Sequence, residues 1–269
     1  EDGGRIVSGC LSFLTRGRIN SRLEITSLPK TIDDTVFWEG LFDECRSRGV
    51  SVLSANSFAS AVAAIPETRQ RVSFKQRSEY ALDLTVPDLS KIMNRRHRRQ
   101  LSAARSAGLE MKQVDDGLSR DTHVRLSNLS LDRRRRRGES IDVETSREQV
   151  DAFLDCHAGQ LFQAVRNNEV FSSLLIAKSR SGAYGQSSGT SEHGRDIGAS
   201  HFVFSETAAL MQIEGLKIFN LGGADENSSG LQEFKAGMGT TRVELESAEF
   251  FTGNFFNKVV TRASALLRG

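Results

Sequence analysis

The chain has 269 residues, of which 38% are hydrophobic and 26% charged, and its formal net charge is +2. That length buries a substantial core, and three prolines in an otherwise ordinary composition exclude a low-complexity or collagen-like polymer. The near-balanced charge excludes a global basic field, so contact with a polyanion has to come from local arginine clusters.

Three cysteines, Cys10, Cys45 and Cys156, with no CxxC pair argue against a disulfide framework or a zinc site and fit a reducing compartment. The longest apolar runs, 170–177 and 259–267, are too short or too amphipathic to span a bilayer, which takes about 20 residues. No secretory leader is visible. A cytoplasmic protein is expected. The chain begins at Glu1 rather than Met, which leaves room for residues upstream.

Residues 5–15 and 21–27 read as strands joined by a turn at 16–20. Asp33 or Asp34 is placed to cap a helix through Phe37, Leu41 and Cys45, which Gly49 stops; 50–53 reads as a short buried strand. A helix between two strands suggests a crossover unit. Strand 80–84 is closed by Pro87.

From 88 to 107, Leu89, Ile92, Met93, Leu101 and Ala104 recur at helical spacing. The surface of this helix is basic: Arg95, Arg96, His97, Arg98, Arg99 and Arg105. Gly108 ends it, and strand 109–114 follows. Residues 120–131 read as a helix. The run Arg133, Arg134, Arg135, Arg136 and Arg137 then forms a loop closed by Gly138.

Residues 146–159 are helical, with capping-box spacing from Thr145 to Glu148 and Cys156 in the core. Strands 161–165, 170–179 and 183–187 are separated by Asn167-Asn168 and Ser181-Gly182, an antiparallel meander. A helix from 199 to 214 opens at Gly198 and stops at Gly215. Strand 216–221 ends in Gly222-Gly223, and a short helix at 229–236, a strand at 242–245 and a helix at 254–267 complete the chain. The pattern is α/β with mixed α+β character. It divides near the basic helix into lobes 1–87 and 88–269.

The chemistry concentrates between 183 and 250. Arg195-Asp196-Ile197-Gly198-Ala199-Ser200 leads into a helix, and a helix N-terminus offers unpaired N–H donors and about half a positive charge to an anion. Small residues there let a polar donor approach the backbone. Consecutive arginines repel one another, stay exposed and often meet phosphates. Such contacts add affinity and salt dependence but little sequence selectivity. His97, His123 and His157 lack metal-ligand spacing, so no metal is assigned. No cysteine lies in a nucleophile motif. On spacing alone, Lys235 is a surface lysine, Tyr184 is structural, Gly222-Gly223 is a turn, and Arg95, Arg96, Arg98 and Arg99 are a solvated face.

A longer stretch gives these residues another meaning: Phe219-Asn220-Leu221-Gly222-Gly223, then Gly230-Leu231-Gln232-Glu233-Phe234-Lys235, then Gly237-Met238-Gly239. With the basic helix at 94–110, the arginine run closed by Gly138, and Ala183-Tyr184 followed by Ser188-Gly189, it resembles the Fem-type (FemAB-like) aminoacyltransferases and their BioF-associated GNAT acyltransferase relatives. The resemblance covers about 72–251. The GNAT donor loop carries Gln or Arg, two residues, Gly, one residue, then Gly or Ala; Arg195 and Gly198 fit, and Ser200 departs from the last position.

The resemblance implies a GNAT-like fold of two tandem lobes with mixed central sheets. The first lobe, 1–87, is incomplete, and the second, 88–269, carries the donor site. The implied reaction moves an aminoacyl group from aminoacyl-tRNA to an amine on a cell-wall precursor, small molecule or peptide, forming an amide bond. The alternatives are an acyl-CoA-dependent N-acyltransferase and a non-catalytic RNA- or phosphate-binding module. No cofactor is tightly bound; aminoacyl-tRNA or acyl-CoA is the co-substrate. Lys235 stabilises the leaving group and Phe234 shapes the adjacent wall. Arg195, Gly198, Ala199, Ser200, Gly222 and Gly223 hold the donor, and Tyr184 positions substrate. Arg95, Arg96, Arg98, Arg99 and Arg133, Arg134, Arg135, Arg136 and Arg137 meet phosphate or RNA.

Overall fold

A computed structural model describes residues 9–17, 20–28, 35–57, 65–139, 141, 143–224 and 228–253. The chain forms two compact units, one of Glu1–Ser78 with Glu244–Gly269 and one of Glu79–Val243. The boundary falls inside two strands, β4 (Arg71–Asp83) and β10 (Thr241–Phe251).

In the first unit, β1 (Ser12–Arg16) pairs antiparallel with β2 (Ser21–Ile25), and β2 pairs parallel with β3 (Val52–Asn56) through helix α1 (Thr35–Ser47). A parallel pair needs such a crossover. Strand β3 then pairs antiparallel with β10. Helix α1 buries Trp38, Phe42 and Cys45, one stripe at i, i+4 and i+7. The expected apolar face was one residue earlier at two of these places; Phe37 and Leu41 are partly buried beside it. The rings of Trp38, Phe42 and Phe250 lie 5.3–6.1 Å apart at the centre of this core. Asp33, Asp34 and the helix expected at 254–267 lie outside the described residues.

The second unit contains helices α2 (Leu89–Ile92), α3 (Arg95–Ser106), α4 (Gly117–Arg136), α5 (Arg147–Asp155), α6 (Glu192–Asp196), α7 (Ala199–Ile213) and α8 (Ser229–Gly237). Its strands are β5 (Glu110–Val114), β6 (Gly159–Arg166), β7 (Glu169–Lys178), β8 (Gly182–Thr190) and β9 (Ile218–Gly223). They are ordered β4-β9-β8-β7-β6-β5, and β8 and β9 run parallel while the other neighbours are antiparallel. Both faces of this sheet are covered, so its strands read as near-continuous apolar runs. Phe162, Leu174 and Ile176 pack with α3 and α7, whereas their neighbours Leu161 and Leu175 pack with α4 and α5. That is the alternation a pleated strand imposes. The meander turns at Asn167 (φ 51°) and Asn168 (φ 64°), the left-handed pair of a type I′ hairpin.

Several expectations need correcting. The basic helix is not continuous from 88 to 107. Met93 is extended (ψ 139°), and Asn94 starts α3 afresh by accepting the His97 N–H at 2.8 Å. The arginine run is not a loop: α4 continues to Arg136, with Arg137 as its C-cap and Gly138 at φ 86°. Arg133, Arg134 and Arg135 are partly buried rather than exposed. Arg134 pairs with Glu139 at 2.7 Å, and Arg135 pairs with Asp132 at 2.8 Å and donates to the Val143 carbonyl. Cations also suit the negative end of the helix dipole.

The capping box of α5 is one residue further on than expected, between Ser146 and Gln149. That helix stops at Asp155, which leaves Cys156 exposed rather than in the core. No helix among the described residues is long and apolar enough to cross a membrane.

Within α4, His123 is fully buried, with Ser173 Oγ 2.9 Å from Nδ1 and Ser187 Oγ 2.8 Å from Nε2. Burial pushes its pKa down to about 4, against about 6.5 in the unfolded chain. The folded state therefore binds fewer protons, and stability is lost as pH falls from 6.5 towards 4. Urea unfolding at pH 7.5 and 5.0 measures that loss. In His123→Asn it is expected to shrink by about 2 kcal/mol; an unchanged loss contradicts this account.

Candidate active site

Strands β8 and β9 pair from Gly182↔Ile218 to Tyr184↔Asn220, and their ladder ends there although β8 runs on to Thr190. The register of β8 against β7 shifts at the same place. Leu175 faces Ser187 and Ile176 faces Gly185, so Gln186 is an extra residue. A bulge of this kind bends a strand and ends its pairing. Strand β9 turns at Gly222, where φ is 77°. A Cβ on Gly222 would lie 3.3 Å from both Tyr184 Oη and the Gly185 carbonyl, and 3.6 Å from Lys235 Nζ. Glycine is required there by the backbone angle, and it keeps open the space that these groups surround.

Lys235 enters that space from α8. It is 6% exposed, its Nζ donates to the Gly223 carbonyl at 2.5 Å, and it lies 6.0 Å from the centroid of the Tyr80 ring. A buried ammonium is costly unless hydrogen-bonded, and a ring face adds further attraction. Beside Tyr80, Glu79 is 1% exposed and accepts from Asn220 Nδ2 at 2.7 Å. Asn220 Oδ1 in turn accepts the Gly222 N–H at 2.8 Å, which fixes the turn. The structure thus brings together Tyr184, Gly222, Gly223 and Lys235. Sequence reading missed Tyr80, Glu79 and Asn220. Asn220 stands out as a polar residue inside the otherwise apolar segment 218–221, whereas Glu79 sits in a mostly polar stretch of β4 and carries no such signal.

Phe234 faces elsewhere. Its ring lies 5.6 Å from His97, 5.1 Å from His201 and 5.4 Å from Phe204, joining α8 to α3 and α7. His201 carries a buried Nδ1 with no hydrogen-bond partner among the described residues. Burial, then the neighbouring His97 and Arg96, push its pKa down to about 4. Gly198 starts α7 in the left-handed region (φ 75°) with no side-chain cap. Its Cβ position is 2.6 Å from the Gln100 carbonyl, so α3 runs directly across it. Ala199 is fully buried and Ser200 half-buried.

Arg195 lies not in a loop but in α6, which Ser191 caps by accepting the Gly194 N–H at 3.0 Å. Burial lowers the pKa of Arg133, and the charges of Arg195 and Arg137 lower it further. Ser130 Oγ joins the arginine run to the end of β8, accepting from Arg133 at 2.7 Å and from the Thr190 N–H at 3.3 Å. On α3, Arg98 is used structurally, donating to the Met93 carbonyl. Arg95, Arg96 and Arg99, with Gln100 and Ala103, line an open hollow of about 750 Å³. Arg96 also reaches Glu233 on α8 at 4.0 Å. The hollow adjoins the start of α7 through Gln100.

No protein-family model and no curated protein matches this chain. Solved structures do. FemX aligns with a TM-score of 0.72 at 12% identity, over 98% of this chain and 88% of that one. L-PGS from Bacillus licheniformis aligns at 0.59 and 13% identity, over 93% and 84%. A tandem GNAT protein from the clavulanic acid biosynthesis pathway aligns at 0.57 and 12% identity, over 94% and 82%. The fold is therefore that of the GNAT-like acyltransferases, mixed α/β and shared with tandem-lobed members. Its likeness to FemX over nearly the whole length makes it a fold of the Fem type.

Proposed function

We propose that the chain is an acyltransferase that moves an aminoacyl group from aminoacyl-tRNA to an amine. The observation that carries this reading is the buried ammonium of Lys235 beside Gly222 and Tyr184, where β8 and β9 cease to pair. An ester carbonyl placed over Gly222 has a fixed cation within reach. The neutral amine attacks the carbonyl carbon, a C–N bond forms, and the ester C–O bond breaks. The amine loses a proton and the departing oxygen gains one. Lys235 stabilises the negative charge that builds on oxygen during this exchange, and a preorganised donor of that kind is worth about 3–4 kcal/mol. Tyr184 Oη orients the reacting group, and holding both partners in line supplies further acceleration.

The arginines support a polyanionic donor. Arg95 and Arg99 line the hollow beside the start of α7, and Arg133 bonds to Ser130, which also accepts from Thr190 at the end of β8. Phosphates satisfy such like-charged groups. A tRNA donor places the reaction in the cytoplasm, with an amine-bearing small molecule, peptide or cell-wall precursor as acceptor. The second reading, acyl-CoA as donor, draws on the uncapped N-terminus of α7. Against it stand Ser200 and the Gln100 carbonyl packed across Gly198.

The test is a donor competition. The protein is given labelled aminoacyl-tRNA, acyl-CoA and an amine, and the amide products are weighed. Transfer from aminoacyl-tRNA is expected. It should weaken as salt rises, and Arg95→Ala with Arg99→Ala should flatten the log–log salt slope by about 2. Turnover of acyl-CoA without tRNA supports the second reading. Salt-sensitive tRNA binding with no transfer from any donor supports a non-catalytic module.

A further inference from the structure

Lys235 lies near the C-terminal end of α8, and the last carbonyls of a helix have no partner within it. Here they find partners on α3. The Asn94 N–H donates to the Gly237 carbonyl at 2.9 Å, and His97 Nε2 lies 2.9 Å from the Phe234 carbonyl. A carbonyl can only accept, so Nε2 carries the hydrogen. The approach is close enough to dictate sequence on the other side. A Cβ on Gly237 would lie 2.3 Å from His97 Cε1 and 2.6 Å from Asn94 Nδ2.

His97 is 5% exposed and wedged against His201, with ring centroids 4.5 Å apart. Asn94 Oδ1, 3.0 Å from Nδ1, accepts the His97 backbone N–H and so fixes the start of α3 rather than the ring. The imidazole is held by His201 and by the Phe234 carbonyl, and that long-range hydrogen bond goes to the residue directly before Lys235. At its other end, the Lys235 ammonium is held by the Gly223 carbonyl.

We propose that His97 is a positioning residue for Lys235: its imidazole fixes the Phe234 carbonyl and so sets where the α8 lysine delivers its ammonium. This rests on Lys235 being the group that stabilises the departing oxygen, but the contact itself is independent of the donor. When the contact is lost, α8 shifts on its bed of aromatic rings and Lys235 moves out of register with Gly222.

The experiment uses amine-reactive labelling of the folded protein, with peptide mass spectrometry at Lys235, in the wild type and in His97→Gln and His97→Asn. The Gln amide reaches the position of Nε2 and the shorter Asn amide does not. Labelling of Lys235 is expected to quicken about tenfold in His97→Asn and to stay near wild type in His97→Gln, because loss of one buried hydrogen bond raises the open population by about that factor. Lys217, exposed and labelled in the same sample, controls for reagent reactivity and should not change, and the urea unfolding midpoint, measured alongside, reports global stability. Where transfer is measurable, kcat should fall in His97→Asn with KM for the amine little altered, and recover in His97→Gln. Equal labelling of Lys235 in all three proteins overturns the proposal. So does quickened labelling in both variants alike. Labelling requires no turnover, so absence of transferase activity would count against the proposed function and leave this readout standing.

Discussion

Replacing Lys235 with methionine should slow the transfer step about 100- to 1,000-fold, the usual consequence of removing one preorganised donor from a developing oxyanion. Methionine keeps most of the side-chain length and all of its packing, so the loss reports the missing charge. Lys235 is 6% exposed, and a buried ammonium opposes folding unless its surroundings repay it. The variant should therefore melt no lower than the wild type, and higher if Gly223 and Tyr80 compensate the charge incompletely. That combination of slower chemistry with unimpaired folding distinguishes a functional lysine from a structural one. Single-turnover transfer with saturating donor measures the first part and thermal unfolding the second. A rate within threefold of wild type, or a large fall in melting temperature with little change in rate, removes Lys235 from the mechanism.

Gly189→Ala should be the most damaging single methyl group in the second unit. A Cβ there would lie 2.0 Å from the Leu126 carbonyl carbon, 2.2 Å from its oxygen and 2.3 Å from the Ser127 nitrogen. All three are backbone atoms of α4, and no side chain can rotate away to relieve the clash. Helix α4 must lift from β8, disturbing His123 between Ser173 and Ser187 and the approach of Ser130 to Thr190. Overpacking usually costs about 1–3 kcal/mol, and a backbone-to-backbone clash belongs at or above the top of that range. For a chain of this size the melting temperature should fall by about 10 °C. Gly230→Ala is the control: none of the described residues lies within 4 Å of its Cβ position in α8, and alanine favours a helix by up to about 1 kcal/mol over glycine. Unchanged melting in Gly189→Ala would show that α4 does not lie where the structure places it.

Much of the second unit was legible because its signals are local. Asn167-Asn168 supplies two left-handed residues and forms a hairpin wherever it sits between strands. Gly108 and Gly215 ended helices as their positive φ angles require. Errors arose where a local signal had a nearby competitor. Thr145 and Ser146 are both good caps, and the hydrogen bonds chose Ser146. Residues 88–107 keep a helical apolar period through Met93, but the side chains of Asp88 and Asn94 each cap a new helix start. Charge repulsion alone argues for a loop at the arginine run, but the acids that flank it, Asp132 and Glu139, pair with Arg135 and Arg134 and reverse that balance.

At the site, Gly222, Gly223, Tyr184 and Lys235 were recognisable as a group only through the resemblance. Nothing in their spacing says that they meet. Glu79 and Asn220 are 141 residues apart and His97 and Phe234 are 137 apart, and contacts of that range leave no periodic trace. The two uses of Gly198 were also indistinguishable beforehand: a loop made for phosphate and a loop made for the Gln100 carbonyl both call for glycine.

The donor's carbonyl marks the place of transfer. A structure of the protein with a hydrolysis-resistant donor, an adenosine whose 3′ position carries an aminoacyl group through an amide, locates it directly. The amide should lie over Gly222 in the opening between β8 and β9, with its 3′ nitrogen or carbonyl oxygen about 2.7–3.2 Å from Lys235 Nζ. An analogue bound at saturation anywhere else, with Lys235 still covered and out of its reach, would contradict the assignment of this opening as the place of transfer.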